Sequence, residues 1–189
     1  DTFDFRWYGR EFWPQEGTSP RENMEIVYEL CANYAHNFSR KSPNLLMTGA
    51  PGLGKTFLSA CIAREVSNAG FSVVYDTATH VFAQFESGKF GRENPFDEDA
   101  HTDINRYLHC DLLIMDDLGT EMATAFVTST LYQILNQRLV AGRQTILNTN
   151  LSLEDLGKRY GAATLSRIEG EYQILTFFGE DIRRQKREQ

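Results

Sequence analysis

Gly49-Ala50-Pro51-Gly52-Leu53-Gly54-Lys55-Thr56 decides how the rest of this chain is read. The stretch matches G-x-x-x-x-G-K-[ST], the Walker A loop that wraps the phosphates of a nucleoside triphosphate. Its glycines let successive backbone N–H groups converge on phosphate oxygens with no Cβ in the way. Lys55 brings a positive charge toward the β- and γ-phosphates, and the Thr56 hydroxyl suits Mg²⁺. Just upstream, Asn44 to Thr48 reads as a short apolar strand. Downstream, Phe57, Leu58, Cys61, Ile62 and Val66 recur at helical spacing until Gly70. Strand, loop and helix are the setting the motif needs. A nucleotide with Mg²⁺ is therefore expected on Gly49, Pro51, Gly52, Leu53, Gly54, Lys55, Thr56 and Phe57.

Working outward, Ser19-Pro20-Arg21-Glu22 is a capping box with Pro at the first helical position. It opens a helix with Met24, Val27, Cys31, Tyr34 and Phe38 on one face. Residues 1–18 form an aromatic lead-in with Phe3, Phe5, Trp7, Tyr8, Phe12 and Trp13, expected to lie along the domain or line a pocket. Residues 19–189 are then expected to form one nucleotide-binding domain. Beyond the P-loop helix, strands are expected at Phe71–Tyr75, Leu112–Met115, Thr145–Leu147 and Tyr172–Phe177. Helices are expected at Thr79–Glu86 and Thr102–His109, in a long segment from Thr120 to Gly142, and in short pieces from Ser152 to about Glu169. Apolar strands alternating with helices mean an α/β fold, a five-stranded parallel sheet flanked by helices on both faces.

The chain has 189 residues, 41% of them hydrophobic, enough for one self-sufficient core. No apolar run approaches the roughly 18 residues of a membrane span. Cys31, Cys61 and Cys110 fit no metal or disulfide spacing and read as reduced core thiols, which suits a cytoplasmic location. The net charge of −7 argues against a surface coated in nucleic acid. An acidic loop (Glu93, Asp97, Glu98, Asp99, Asp103) and a basic tail (Arg183, Arg184, Lys186, Arg187) read as solvated surface or as sites.

Asp116 and Asp117 end the strand Leu112–Met115, where open α/β sheets bind ligands. Four apolar residues and two acids form a Walker B pattern. Asp116 would hold the Mg²⁺ shell and Asp117 would orient or deprotonate the attacking water. An Asp-Asp-x-Gly turn cap is the plainer alternative. Asn150, after the fourth strand, could position water between the γ-phosphate and Asp117, although Asn148 competes for that role and an Asx turn would also explain it. Arg167 and Arg183 attract no notice from spacing alone.

The order of these blocks resembles the AAA+ ATPases, and within them the bacterial replicative helicase loaders of the DnaC/DnaI type and their IstB-type transposition relatives. The similarity rests on residues 3–13, Gly49–Thr56, Leu112–Gly119, Thr145–Leu151 and Ser166-Arg167-Ile168, and spans essentially the whole chain. The resemblance implies ATP hydrolysis to ADP and phosphate, slow in isolation and stimulated by assembly or DNA. It implies Arg167 as an arginine finger reaching a neighbouring subunit's ATP in a homo-oligomer, and Arg183, with Arg184 adjacent, as sensor 2. Single-stranded DNA would bind an insert at about 77–103, with Lys89 and Arg92 offering charge, while Phe82 and Phe85 read as core. The replicative helicase would be engaged through an upstream region, and the helical lid is minimal or absent. Rivals are the transposition helper, a P-loop nucleotide kinase and a scaffold that binds nucleotide without cutting it.

Overall fold

The structure is a computed structural model that describes residues 3–90 and 98–188, with side chains for 3–88 and 104–188. Five strands run β1 (Asn44–Gly49), β2 (Val73–Thr77), β3 (Leu112–Leu118), β4 (Gln144–Thr149) and β5 (Tyr172–Phe177). All pair in parallel in the order β2-β3-β4-β1-β5. Eight α-helices are described: α1 (Pro20–His36), α2 (Lys55–Asn68), α3 (Ala78–Phe90), α4 (Glu98–His109), α5 (Ala125–Val140), α6 (Leu153–Tyr160), α7 (Ala162–Glu171) and α8 (Ile182–Gln185).

Strand alternation sorts the helices. Leu45, Met47, Leu112 and Ile114 face α1 and α2, against Met24, Val27, Leu58 and Ile62. Leu46, Leu113, Met115 and Leu147 face the other way, against Val81, Leu131, Ile134, Leu156 and Ile168. Both faces are covered, which is why the strands read as continuous apolar runs. Phe82 is buried in this second layer and Phe85 packs against it.

Helix α1 starts where the capping box put it: Glu22 N donates to Ser19 Oγ, and Ser19 N donates back to Glu22 Oε2. Helix α5 does not start at Thr120. Thr120 instead caps a turn, donating from N and Oγ1 to Asp117 O, and Thr124 is the N-cap of α5. Between them Glu121 is buried, with its carboxylate taking Gly119 N and Tyr160 Oη, and its carbonyl taking Arg159. Those partners on α6 lie about forty residues downstream, beyond the reach of local pattern. Arg138 of α5 is fully buried with no carboxylate partner among the described residues; Thr145 Oγ1 and the carbonyls of Gln144 and Tyr107 satisfy it and tie β4 to α5.

Candidate active site

The site sits at the carboxyl ends of β1, β3 and β4. Gly54 ends the loop in the left-handed region (φ 97°) as N-cap of α2 and supplies no side-chain cap, so the first N–H groups of α2 stay unspent. Orphan donors at a helix start, with the dipole behind them, favour an anion. Gly52 is also left-handed (φ 75°), and a Cβ there would run into the Asp181 carboxylate. Ile182 N donates to Gly52 O (3.1 Å), so the segment after β5 lies directly on the loop. Lys55 is only 7% exposed, and its Nζ donates to the carbonyls of Gly49 (2.5 Å) and Ala50 (2.7 Å). Burial pulls the Lys55 ammonium down to about 8; Asp116 and Asp117 oppose that pull, and Arg183 adds to it.

The two acids of β3 are separated by a bulge. Met115 pairs with Leu147, but Leu118 already pairs with Thr149, so β3 carries one residue more than β4 across this interval. Asp117 absorbs the difference at φ 54°, a left-handed position otherwise held only by glycines among the described residues. Aspartate tolerates that conformation better than most side chains, and bulges commonly re-aim groups beside active sites. Asp116 is thereby buried at 5% exposure while Asp117 is exposed on the wall of a pocket.

The Asp116 carboxylate is fixed by four donors. Thr56 Oγ1 (3.3 Å), Asn148 Nδ2 (3.0 Å) and the Asp117 N–H (3.0 Å) meet Oδ1, and Tyr75 Oη meets Oδ2 at 2.6 Å. Asn148 is 1% exposed and also donates to Ser59 Oγ at 2.6 Å, while Ser59 gives its own proton to Lys55 O. That network sets the amide orientation. The adjacent Thr56 and Asp116 oxygens fit Mg²⁺, which takes one or two protein oxygens plus phosphate and water.

The pocket encloses about 280 Å³, at the lower end of small-ligand sites. Residues Pro51 to Phe57, Asp117, Asn150 and Arg183 line it. Phe3, Asp4, Trp7, Tyr8, Ile182 and Lys186 line it as well. Tyr8 donates its hydroxyl to Leu53 O (2.9 Å), and Phe3 lies against both Tyr8 and Phe57. Lys186 sits 5.4 Å over the Trp7 ring. Aromatic rings and the glycine-rich loop thus line one pocket.

Most sequence-identified residues therefore converge. Pro51 to Phe57, Asp117, Asn150 and Arg183 line the pocket, while Gly49 and Asp116 lie behind that lining, accepting from Lys55 and Thr56. Asn150 reaches the pocket, whereas Asn148 braces Asp116 from beneath. Arg184 is outside the lining and lies 3.9 Å from Glu188. Arg167 is exposed on α7, away from the pocket of its own chain. Lys89 lies in the last turn of α3 with its side chain outside the described residues, and Arg92 is outside them altogether. Tyr75, Ser59 and Asp181 are not singled out by the sequence, and Lys186 figures there only as part of the basic tail. For Tyr75 the available signal was a hydroxyl near the carboxyl end of a strand, where α/β ligands bind.

The profile of the family described as IstB-like ATP binding protein matches residues 21–189. The chain belongs to that IstB-like family. The replicative helicase loader DnaC of Buchnera aphidicola subsp. Baizongia pistaciae is 27% identical over 171 residues, covering 86% of this chain and 68% of the loader. A Pseudomonas aeruginosa protein described as insertion sequence IS21 putative ATP-binding protein is 26% identical over 169 residues, 87% of this chain and 60% of that one. The crystal structure of a DnaC helicase loader superposes with a TM-score of 0.67 at 20% identity, over 93% of this chain and 96% of that one. At that identity the likeness speaks to fold alone: this IstB-like chain shares the α/β P-loop architecture of that loader. No helix among the described residues is long and apolar enough to cross a membrane.

Proposed function

We propose that this chain is the ATPase core of a replicative helicase loader, binding ATP with Mg²⁺ and single-stranded DNA and cutting ATP when assembled. One observation carries the hydrolytic reading. The bulge presents Asp117 to a pocket that Asn150 and Lys55 also line. Plain nucleotide switches and kinases need no second acid at that position. In the proposed reaction a water held by Asn150 and Asp117 attacks the γ-phosphorus in line, and Asp117 takes its proton. The bond to the β-phosphate oxygen breaks, leaving ADP and inorganic phosphate. Mg²⁺ on Thr56 and Asp116 supplies charge neutralisation of the phosphate oxygens. Arg183 steadies the γ-phosphate within the subunit, and Arg167 stabilises the same charge from a neighbour.

The test is the ATPase rate of the full-length protein, alone and with single-stranded DNA and its cognate helicase. A slow basal rate that rises with DNA, helicase or protein concentration is expected. Asp117→Asn should keep nucleotide binding and lose about 10²–10⁴-fold in turnover. Fast hydrolysis by dilute monomer, indifferent to both partners, would overturn the assembly mechanism.

The family profile and the IS21 relative favour a second reading, a transposition helper with the same ATPase chemistry. Recovery of a transposase instead of a helicase with the full-length protein would select it.

A further inference from the structure

We propose that Tyr75 is a positioning residue of the Mg²⁺ site, its hydroxyl holding one oxygen of Asp116 so that the other stays turned to Thr56. The inference rests on the ATPase reading above and adds a residue from β2 that no part of either Walker motif contains. Tyr75 ends an apolar run, Val73-Val74-Tyr75, and pairs in register with Ile114. Its ring packs against the core shared with α2, while its hydroxyl reaches Asp116 Oδ2 at 2.6 Å and lies 3.5 Å from Thr56 O. One hydroxyl thus touches the acid of β3 and the backbone of the loop threonine.

The consequence follows from how the carboxylate is shared. Thr56 Oγ1, Asn148 Nδ2 and the Asp117 N–H all converge on Oδ1, and among the described residues Tyr75 alone serves Oδ2. By giving its proton to Oδ1, the Thr56 hydroxyl keeps its lone pairs for a cation. The terminal torsion of an aspartate is soft, so its angle depends on what each oxygen touches. A short hydrogen bond to a charged acceptor is strong enough to set that angle. A phenol with an ordinary value of about 10 is neutral at working pH, so the Tyr75 hydroxyl has its proton to donate. The strand tip is itself pinned. Asp76 accepts Thr77 N and the Tyr107 hydroxyl, and it pairs with His80 at 2.6 Å. Partners behind a metal ligand commonly govern how well that ligand binds.

The experiment titrates a fluorescent ATP analogue against the full chain with and without Mg²⁺, for wild type, Tyr75→Phe, Asp116→Asn and the double variant. Tyr75→Phe removes one oxygen and leaves the packed ring. It should raise the Mg²⁺ concentration for half-maximal tightening about three- to tenfold, with Mg²⁺-free affinity unchanged. On the Asp116→Asn background it should add nothing, as a coupled pair requires. An unchanged or lower Mg²⁺ requirement would overturn the proposal. So would equal weakening with and without Mg²⁺, or an additive effect in the double variant. A wild-type protein that fails to bind the analogue at all would instead sink the nucleotide reading.

Discussion

Lys55 is held at the root of its loop by two carbonyls and by burial, and that has a pH consequence. In the nucleotide-free protein its ammonium is pulled down to about 8, whereas in an unfolded chain it stays near the ordinary lysine value of roughly 10.4. Between those values the folded state carries fewer protons than the unfolded one. This group's penalty on folding, full below about 8, is therefore relieved as pH rises toward the unfolded value. Nucleotide affinity runs the opposite way, because triphosphate binding wants the charge. Above pH 8 binding must take up a proton, and affinity should fall by up to about tenfold per pH unit. Calorimetric titration in buffers of different ionisation enthalpy reads that proton directly. Equal affinity and no proton uptake between pH 7 and 9.5 would show that Lys55 is not the titrating group.

At the scale of elements, the short helix α8 matters through where it lands. Asp181 caps α8, accepting Arg183 N at 2.8 Å, and lies against Gly52, whose carbonyl takes Ile182 N. The only residue that gives the loop its left-handed turn and leaves room for Asp181 is glycine. Gly52→Ala should cost about 1–2 kcal/mol for the backbone alone, and it should also displace α8 with Arg183. The expected result is a lowered melting temperature together with weakened nucleotide binding, whereas Arg183→Ala should weaken binding and spare stability. The chain's own pattern announced the Walker loop, the α1 capping box and the Tyr172–Phe177 strand, because each is settled by residues within one turn or one strand. It misplaced the start of α5, because Glu121 is held by Arg159 and Tyr160 across the fold. It overlooked Tyr75 for a related reason. A tyrosine in an apolar strand looks like core until the neighbouring strand is known, and only the β2–β3 pairing brings its hydroxyl to Asp116.

At the scale of the molecule, β4 lies between β1 and β3 in the sheet, so Asn148 and Asn150 stand between the loop that would grip phosphate and the acids of β3. Among the described residues, the nucleotide set gathers around that arrangement except Arg167, exposed on α7 outside the lining of its own pocket. If Arg167 serves a neighbour, the two halves of the catalytic set can be broken in different chains. Arg167→Ala leaves a whole pocket without its finger, and Asp117→Asn leaves a finger on a subunit that cannot cut. Each alone should be nearly inactive. Mixed in equal amounts under assembling conditions, about a quarter of head-to-tail interfaces would join an intact pocket to an intact finger. Turnover should then rise well above the sum of the two variants, toward about a quarter of the wild-type rate if every interface acts independently. A mixture no more active than its components, in assemblies shown by light scattering to form, would mean that Arg167 does not act between subunits.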